Sequence, residues 1–202
     1  MTINCRFLNI KPMIRTRIIF LLLIAGIIIS GCGFQSEYTR LVTRELASGV
    51  RNDSLFLGIH FGMTSKEFYL HCWDLNEKQL VRQGNRNMTV EYQVEDLEYP
   101  ASMNFYPDFY EDKIYEMPVS FMYLAWAPWN QEMSSDSLQE DVMALLMDWY
   151  GGNPFIKVEH PQKGAVHVKV DGNRRILIQK EEVEVEVRFT DMLVERAMKE
   201  EK

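Results

Sequence analysis

The sequence predicts an α+β domain, an antiparallel sheet with two main helices packed on one face. Three observations carry this. Two helix starts are written into the chain, at Thr64-Ser-Lys-Glu67 and Ser134-Ser-Asp-Ser137, each ahead of apolar residues at helical spacing. The stretches between and after them alternate apolar and polar residues with a period of two. Asp171-Gly172, set between two such stretches, is a strong hairpin signal. An antiparallel sheet with its helices gathered on one face is one of the few stable layer arrangements.

Taken in order, residues 55–59 suit a first strand. In the first helix Thr64 is placed to accept from the third amide while Glu67 reaches back, and Met63 and Phe68 occupy the two positions of a hydrophobic staple. Phe68, Cys72 and Leu75 share one helical face. Met88, Val90, Tyr92 and Val94 then alternate with polar residues, and Met103 and Phe105 begin another strand. Residues 114–126 form a longer extended run broken by Pro118, which cannot donate to a ladder and so marks an edge or a bulge. The second helix sets Leu138, Val142, Leu145 and Trp149 on one face, with Ser137 and Glu140 box-like, and Gly151, Gly152 and Pro154 as its stop. Strands are expected at 155–160, 165–170 and 174–179. Val183, Val185, Val187 and Phe189 alternate with charged residues in a last one. A short charged helix, 191–202, closes the chain. The order divides into halves of about 53–130 and 134–190, each one helix ahead of about three antiparallel strands, without a residue-level repeat.

The domain, residues 53–202, is preceded by segments of different composition. Arg6, Lys11, Arg15 and Arg17 lead into an apolar run at 18–29, and no acidic residue occurs before Glu37. A basic stretch ahead of a short apolar run is the pattern of a secretory signal peptide. The run is too short to span a bilayer, which takes about 20 residues. Met13 offers a second start besides Met1, with a leader of more usual length. Ile29-Ser30-Gly31-Cys32 resembles the lipobox of bacterial lipoproteins. The resemblance implies removal of residues 1–31, a diacylglycerol thioether on Cys32 and usually an N-acyl chain. At about 0.8 kcal/mol per buried CH₂, two or three acyl chains anchor stably where one does not. Gly33 rather than Asp follows the cysteine, which by the same resemblance favours the outer membrane. Residues 32–52 then read as the lipidated cysteine and a tether, with Tyr38, Leu41, Val42 and Leu46 in a short helix.

Charge narrows the function. Removing the four basic residues of the leader from the 22 in the chain leaves 18 against 29 acidic ones, a net charge of −11. That acidic surface argues against nucleic acid and against docking on anionic headgroups. With Cys5 removed and Cys32 acylated, Cys72 has no partner for a disulfide.

Phe61-Gly62-Met63-Thr64 at a helix start resembles the opening of small outer-membrane lipoproteins of the β-barrel assembly machinery. Trp149-Tyr150-Gly151 with Pro154 is similar to helix ends in small envelope lipoproteins, and the paired helix-then-strands layout resembles the β-lactamase-inhibitor-like fold. The resemblance implies a non-catalytic module that binds other proteins. The Gly-x-Pro that usually follows the first helix in that family is missing here.

Read for chemistry, the chain offers little. His71 and Cys72 are adjacent and diverge by about 100° on a helix, and Cys72 falls on the core face. His160 and His167, facing across a hairpin, would be half a zinc site. Asp108, Glu111 and Asp112 lack the spacing of a calcium loop and read as a solvated turn. No phosphate loop, nucleophile elbow or paired metal motif is present. No cofactor or metal is expected. Exposed aromatic side chains on loops are frequent interface anchors, which singles out Phe109, Tyr110 and Trp129, the last beside Pro128. The expectation is a lipid-anchored envelope protein with a protein partner. The alternative is a small-molecule-binding or hydrolytic lipoprotein whose site is scattered in sequence.

Overall fold

Residues 36–84, 88–160 and 164–201 are described by the structure, a computed structural model. The leader, Cys32 and the turn at 161–163 lie outside them. Among the described residues there are four α-helices, α1 (Glu37–Ala47), α2 (Ser65–Glu77), α3 (Ser135–Tyr150) and α4 (Met192–Glu200). The strands are β1 (Val81–Gln83), β2 (Val90–Val94), β3 (Ala101–Phe105), β4 (Asp108–Tyr110), β5 (Lys113–Tyr123), β6 (Ile156–His160), β7 (Gly164–Asp171), β8 (Arg174–Lys180) and β9 (Val185–Asp191).

All nine strands join one antiparallel sheet in the order β1-β2-β3-β5-β9-β8-β7-β6, with β4 paired to the start of β5. Each half is thus a helix followed by a four-strand meander; the second half has the four strands expected along its sequence, and the first gains β1, with β4 as a further short strand. The meanders meet through their last strands, β5 and β9, with Val119 opposite Val187. Because equivalent strands pair antiparallel at that seam, the halves are related by an approximate local two-fold.

The front of the sheet carries α2 and α3, as expected. Leu138, Val142, Leu145 and Leu146 of α3 pack into the main core with Met117, Val119 and Phe121 of β5, Ile176 and Ile178 of β8, and Val187 and Phe189 of β9. Both helix starts are capped. Thr64 and Glu67 form the reciprocal capping box of α2. In α3 the cap is Ser134, whose hydroxyl accepts from the Ser137 amide at 3.3 Å, so the box begins one turn earlier than Ser137 and Glu140 imply.

Residues 55–59 are not a strand. Leu57 and Gly58 both have positive φ, 53° and 79°, and the chain doubles back so that the Leu55 amide donates to Ile59 and the Ile59 amide to Phe56. The tight loop drives Leu55, Phe56 and Ile59 into the core, where Phe56 meets Phe105 and Phe189 edge-on. Apolar residues at that density satisfy a buried loop as well as a strand.

Pro118 is on neither an edge strand nor a free margin, since β5 lies between β3 and β9. Its carbonyl accepts from Tyr106, in the gap between Phe105 and Asp108 where β5 changes partner from β3 to β4. The nitrogen faces the same side as its own carbonyl, so the missing N–H falls where no ladder bond is needed. The neighbouring β4–β5 pairing carries a register irregularity at Asp108/Phe109, the bulge half of the expectation.

The segment read as a tether does hold a helix, but α1 docks on the back of the sheet. Leu41 is buried against Val166, Val168 and Val170 of β7, with Met192 of α4 closing the same small core. Polar contacts fix it there. Glu45 accepts from the Gly172 amide at 3.0 Å, and the Asn52 amide donates to Asn173 Oδ1 at 2.6 Å. Gly172 has φ 55° and abuts the Val50 carbonyl, so a side chain there would meet both strain and a clash. Beneath the β7–β8 hairpin Lys169 is fully buried, donating to the carbonyls of Gly151 and Asn153 and paired with Asp171 at 2.7 Å. Among the described residues no helix is long and apolar enough to cross a membrane.

Candidate interaction groove

α2 buries one face through Phe68 and Leu75 and leaves another, with Tyr69, Leu70 and Trp73, in solvent. Trp73 is 68 % exposed, and its Nε1 donates to Glu77 at 3.1 Å. Facing this helix are β1 and the start of β2. Between them runs a groove of about 470 Å³, lined by Cys72, Trp73, Val81, Met88 and Tyr106, with Phe68 at its base. Phe68 is the hub of the wall, edge-on to Tyr69, Tyr106 and Phe109 with centroids 5.8, 6.0 and 6.3 Å away. The hydroxyls of Tyr69 and Tyr106 bond across the groove. That hydrogen bond, with burial, pushes Tyr106 up to about 12. Met88, with φ 63°, is 65 % exposed at the lip.

The groove lies at the end of the sheet. β1 is three residues long and pairs with β2 alone among the named strands. Its outer edge is partly closed, because Asn76 Nδ2 donates to the Val81 carbonyl at 2.9 Å. A short, side-chain-capped edge gives an added strand few ladder bonds. Recognition here therefore rests on the apolar side chains.

Cys72 faces into the groove, and burial pushes its thiol up to about 11, which disfavours the reactive thiolate. His71 points the other way and donates from Nε2 to the Leu57 carbonyl at 2.7 Å, pinning the positive-φ turn. His167 pairs with Lys157 and His160 with Gly164, so the two histidines do not oppose each other across the hairpin. Glu111 and Asp112 form the β4–β5 turn, both at positive φ, and Asp112 accepts from the Ser65 hydroxyl. Among the described residues no three His, Cys, Asp or Glu side chains are placed to hold a metal ion.

The three aromatics singled out from the sequence do not form one surface. Phe109 is half-buried against Phe68. Tyr110 donates to Glu201 beyond α4, and this bond pushes it up to about 12. Trp129 is 86 % exposed. Phe109 and Tyr110 flank the start of β5 and Trp129 follows its end, and a strand of 11 residues is about 35 Å long. What sequence reading missed is the second stripe of α2, where Tyr69 and Leu70 stand one turn before Trp73. An apolar stripe on both sides of a helix is the signal that one side is to be covered by something else.

Comparison of the chain with protein-family models, with curated proteins and with solved structures finds no match. The fold defines its class, an α+β protein built on one open antiparallel sheet of nine strands.

Proposed function

We propose that this chain is a lipid-anchored protein of a bacterial cell envelope, held through Cys32 in the outer membrane, whose domain binds another envelope protein without catalysing a reaction. One observation carries the binding half of the reading. Tyr69, Trp73 and Met88 are each at least half exposed around a largely apolar groove. Large aromatic and Met side chains clustered in solvent at a groove are the composition of interface centres. The anchor half rests on the lipobox at 29–32 and the basic leader before it.

The test places a photo-crosslinking residue at position 73 or at 129 in the full chain, expressed in a bacterial envelope. The expected result is a discrete adduct from 73, lost in Met88→Ala, and none from 129. Equal labelling at both positions, or none at either, overturns the groove. The anchor is tested by labelling with radioactive palmitate, which Cys32→Ser must abolish.

A further inference from the structure

A second concavity, of about 520 Å³, lies on the front of the sheet at the C-terminal end of α3, and its walls include Phe56, Tyr92, Trp149, Tyr150 and Arg174. Arg174 opens β8 and is only 5 % exposed. In the ladder it sits between Asp171 of β7 and Asp191 of β9. The Asp171 charge acts favourably on it, but neither carboxylate takes a hydrogen bond from the guanidinium among the described contacts. Asp171 is taken by Lys169, and Asp191 is taken by Arg51 at 3.1 Å and by the Leu193 amide it caps. The guanidinium instead stacks on Tyr150, with Cζ 4.1 Å from the ring centroid, and donates from Nη1 to the Ser54 carbonyl at 2.7 Å. Its Nε is buried and makes no hydrogen bond.

Arg51 shows what that edge of a guanidinium does elsewhere in the chain. It grips Asp53 with Nε and Nη2 at 3.1 and 2.9 Å. Arg82 uses the same two atoms on Glu91. In Arg174 the equivalent edge holds no carboxylate among the described residues. A buried guanidinium N–H without an acceptor is unfavourable, and arginine is rarely so buried unless its edge is paired. The planar edge matches a carboxylate in two parallel bonds. The surrounding rings suit a flat apolar body, and the volume is in the usual range for small-molecule sites.

We propose that this cavity binds a small aromatic carboxylate, its anionic group on Arg174 and its ring among Phe56, Trp149 and Tyr150. Asp96, exposed at the mouth, selects against a second negative charge. The site is independent of whatever occupies the α2 groove.

The test titrates the full chain, purified in detergent, with phenylacetate, indole-3-acetate and N-acetyl-phenylalanine, each beside its uncharged amide, by calorimetry and by NMR. At least one acid is expected to saturate the protein and to bind about tenfold or more tighter than its amide. Arg174→Lys, checked for folding by circular dichroism, should lose that preference, and Asp96→Asn should tighten the acids by roughly two- to threefold. A stronger response to N-acetyl-phenylalanine than to phenylacetate marks the natural ligand as a peptide C-terminus, and the reverse marks a free acid; either supports the site. Acids that bind no tighter than their amides, or no saturable binding up to roughly 10 mM, overturn it, and neither result depends on the arginine variant.

Discussion

The two halves of the sheet share a topology and differ in what covers them. In the second half the strands are apolar on both sides, with Ile176 and Ile178 toward α3 and Val166, Val168 and Val170 toward α1. α1 and α4 close its back, fastened by Glu45, Asn52 and the Arg175–Glu195 pair. In the first half the back of the sheet presents Arg82, Glu91, Gln93, Ser102, Asn104 and Ser120, a polar face that asks for no helix. Its own helix, α2, reaches β1 at the margin and keeps Trp73 outside, whereas α3 lies across β5, β8 and β9 and turns Trp149 inward. The same helix-and-meander unit thus serves once as a two-sided core and once as a one-sided surface. The alternation of residues along the strands decides which.

The largest effect expected is at the seam. Phe189 of β9 is fully buried and meets Phe56 and Tyr150 edge-on at 5.8 Å each. Phe189→Ala should destabilise the protein by about 3–5 kcal/mol in urea unfolding. Because β9 touches both halves, amide exchange in β2–β3 and in β7–β8 should rise together. If only β7–β8 loses protection, the halves fold separately and the seam is a contact between two units. Next is Lys169→Met, which strands Asp171 and two carbonyls in the interior of the second half. A loss of about 3 kcal/mol or more follows from leaving a buried ion without its partner. Arg82→Gln in the first half takes the cation from the buried Glu91 carboxylate, and the unfolding midpoint should fall, by less than in Lys169→Met because the arginine itself is solvent-exposed.

How much of this could be read in the chain depends on how far apart the deciding residues are. The α2 cap is complete within Thr64–Glu67, and the core face of α3 within Leu138–Leu145, so short-range spacing was enough. β1 and β4 have three residues each, too few for a period of two to show. The loop at 55–59 was hidden because its apolar run carries no mark of the positive φ at Leu57. The docking of α1 is decided by partners such as Gly172 and Asn173, more than 120 residues from Glu45 and Asn52. The Arg174 cavity is assembled from the 54–57 loop, β2, α3 and β8 in the same way. Trp73 and Tyr69 were legible in principle, as a second stripe on a helix whose core stripe was already assigned.

Acid separates the halves more gently. Burial is the largest single influence and would raise Glu45, Asp53 and Glu195, but their partners together outweigh it, Gly172 with Asn153 and Arg44, Arg51 with Asn173, and Arg175 with Lys199, and hold each carboxyl below its ordinary value. A carboxyl depressed in the folded state takes up its proton more readily when unfolded. Its contribution is complete above the ordinary values of 4.5 and 3.8 and fades as pH falls through the lower folded ones. All three clamp the back cover of the second half. The contribution is weakened at Asp53, which is partly exposed and screened. Exchange normalised for intrinsic rate should therefore rise in α1 and α4 between pH 5 and about 3 before it rises in β2–β3. Uniform loosening would mean the cover is no weaker than the rest.

The smallest effect on stability discriminates best between the halves, because it compares one residue type on the two equivalent helices. Trp149 is half-buried in the main core, so Trp149→Ala should lower stability by about 2 kcal/mol or more. Trp73 is 68 % exposed, with one hydrogen bond to a residue of its own helix, and Trp73→Ala should change stability by less than about 0.5 kcal/mol. A tryptophan that contributes nothing to the fold yet stands at the rim of an apolar groove has its use outside the molecule. Urea unfolding of the two variants measures the contrast directly. If Trp73→Ala is as damaging as Trp149→Ala, the side chain is covered in the folded protein, and the first half is no more open than the second.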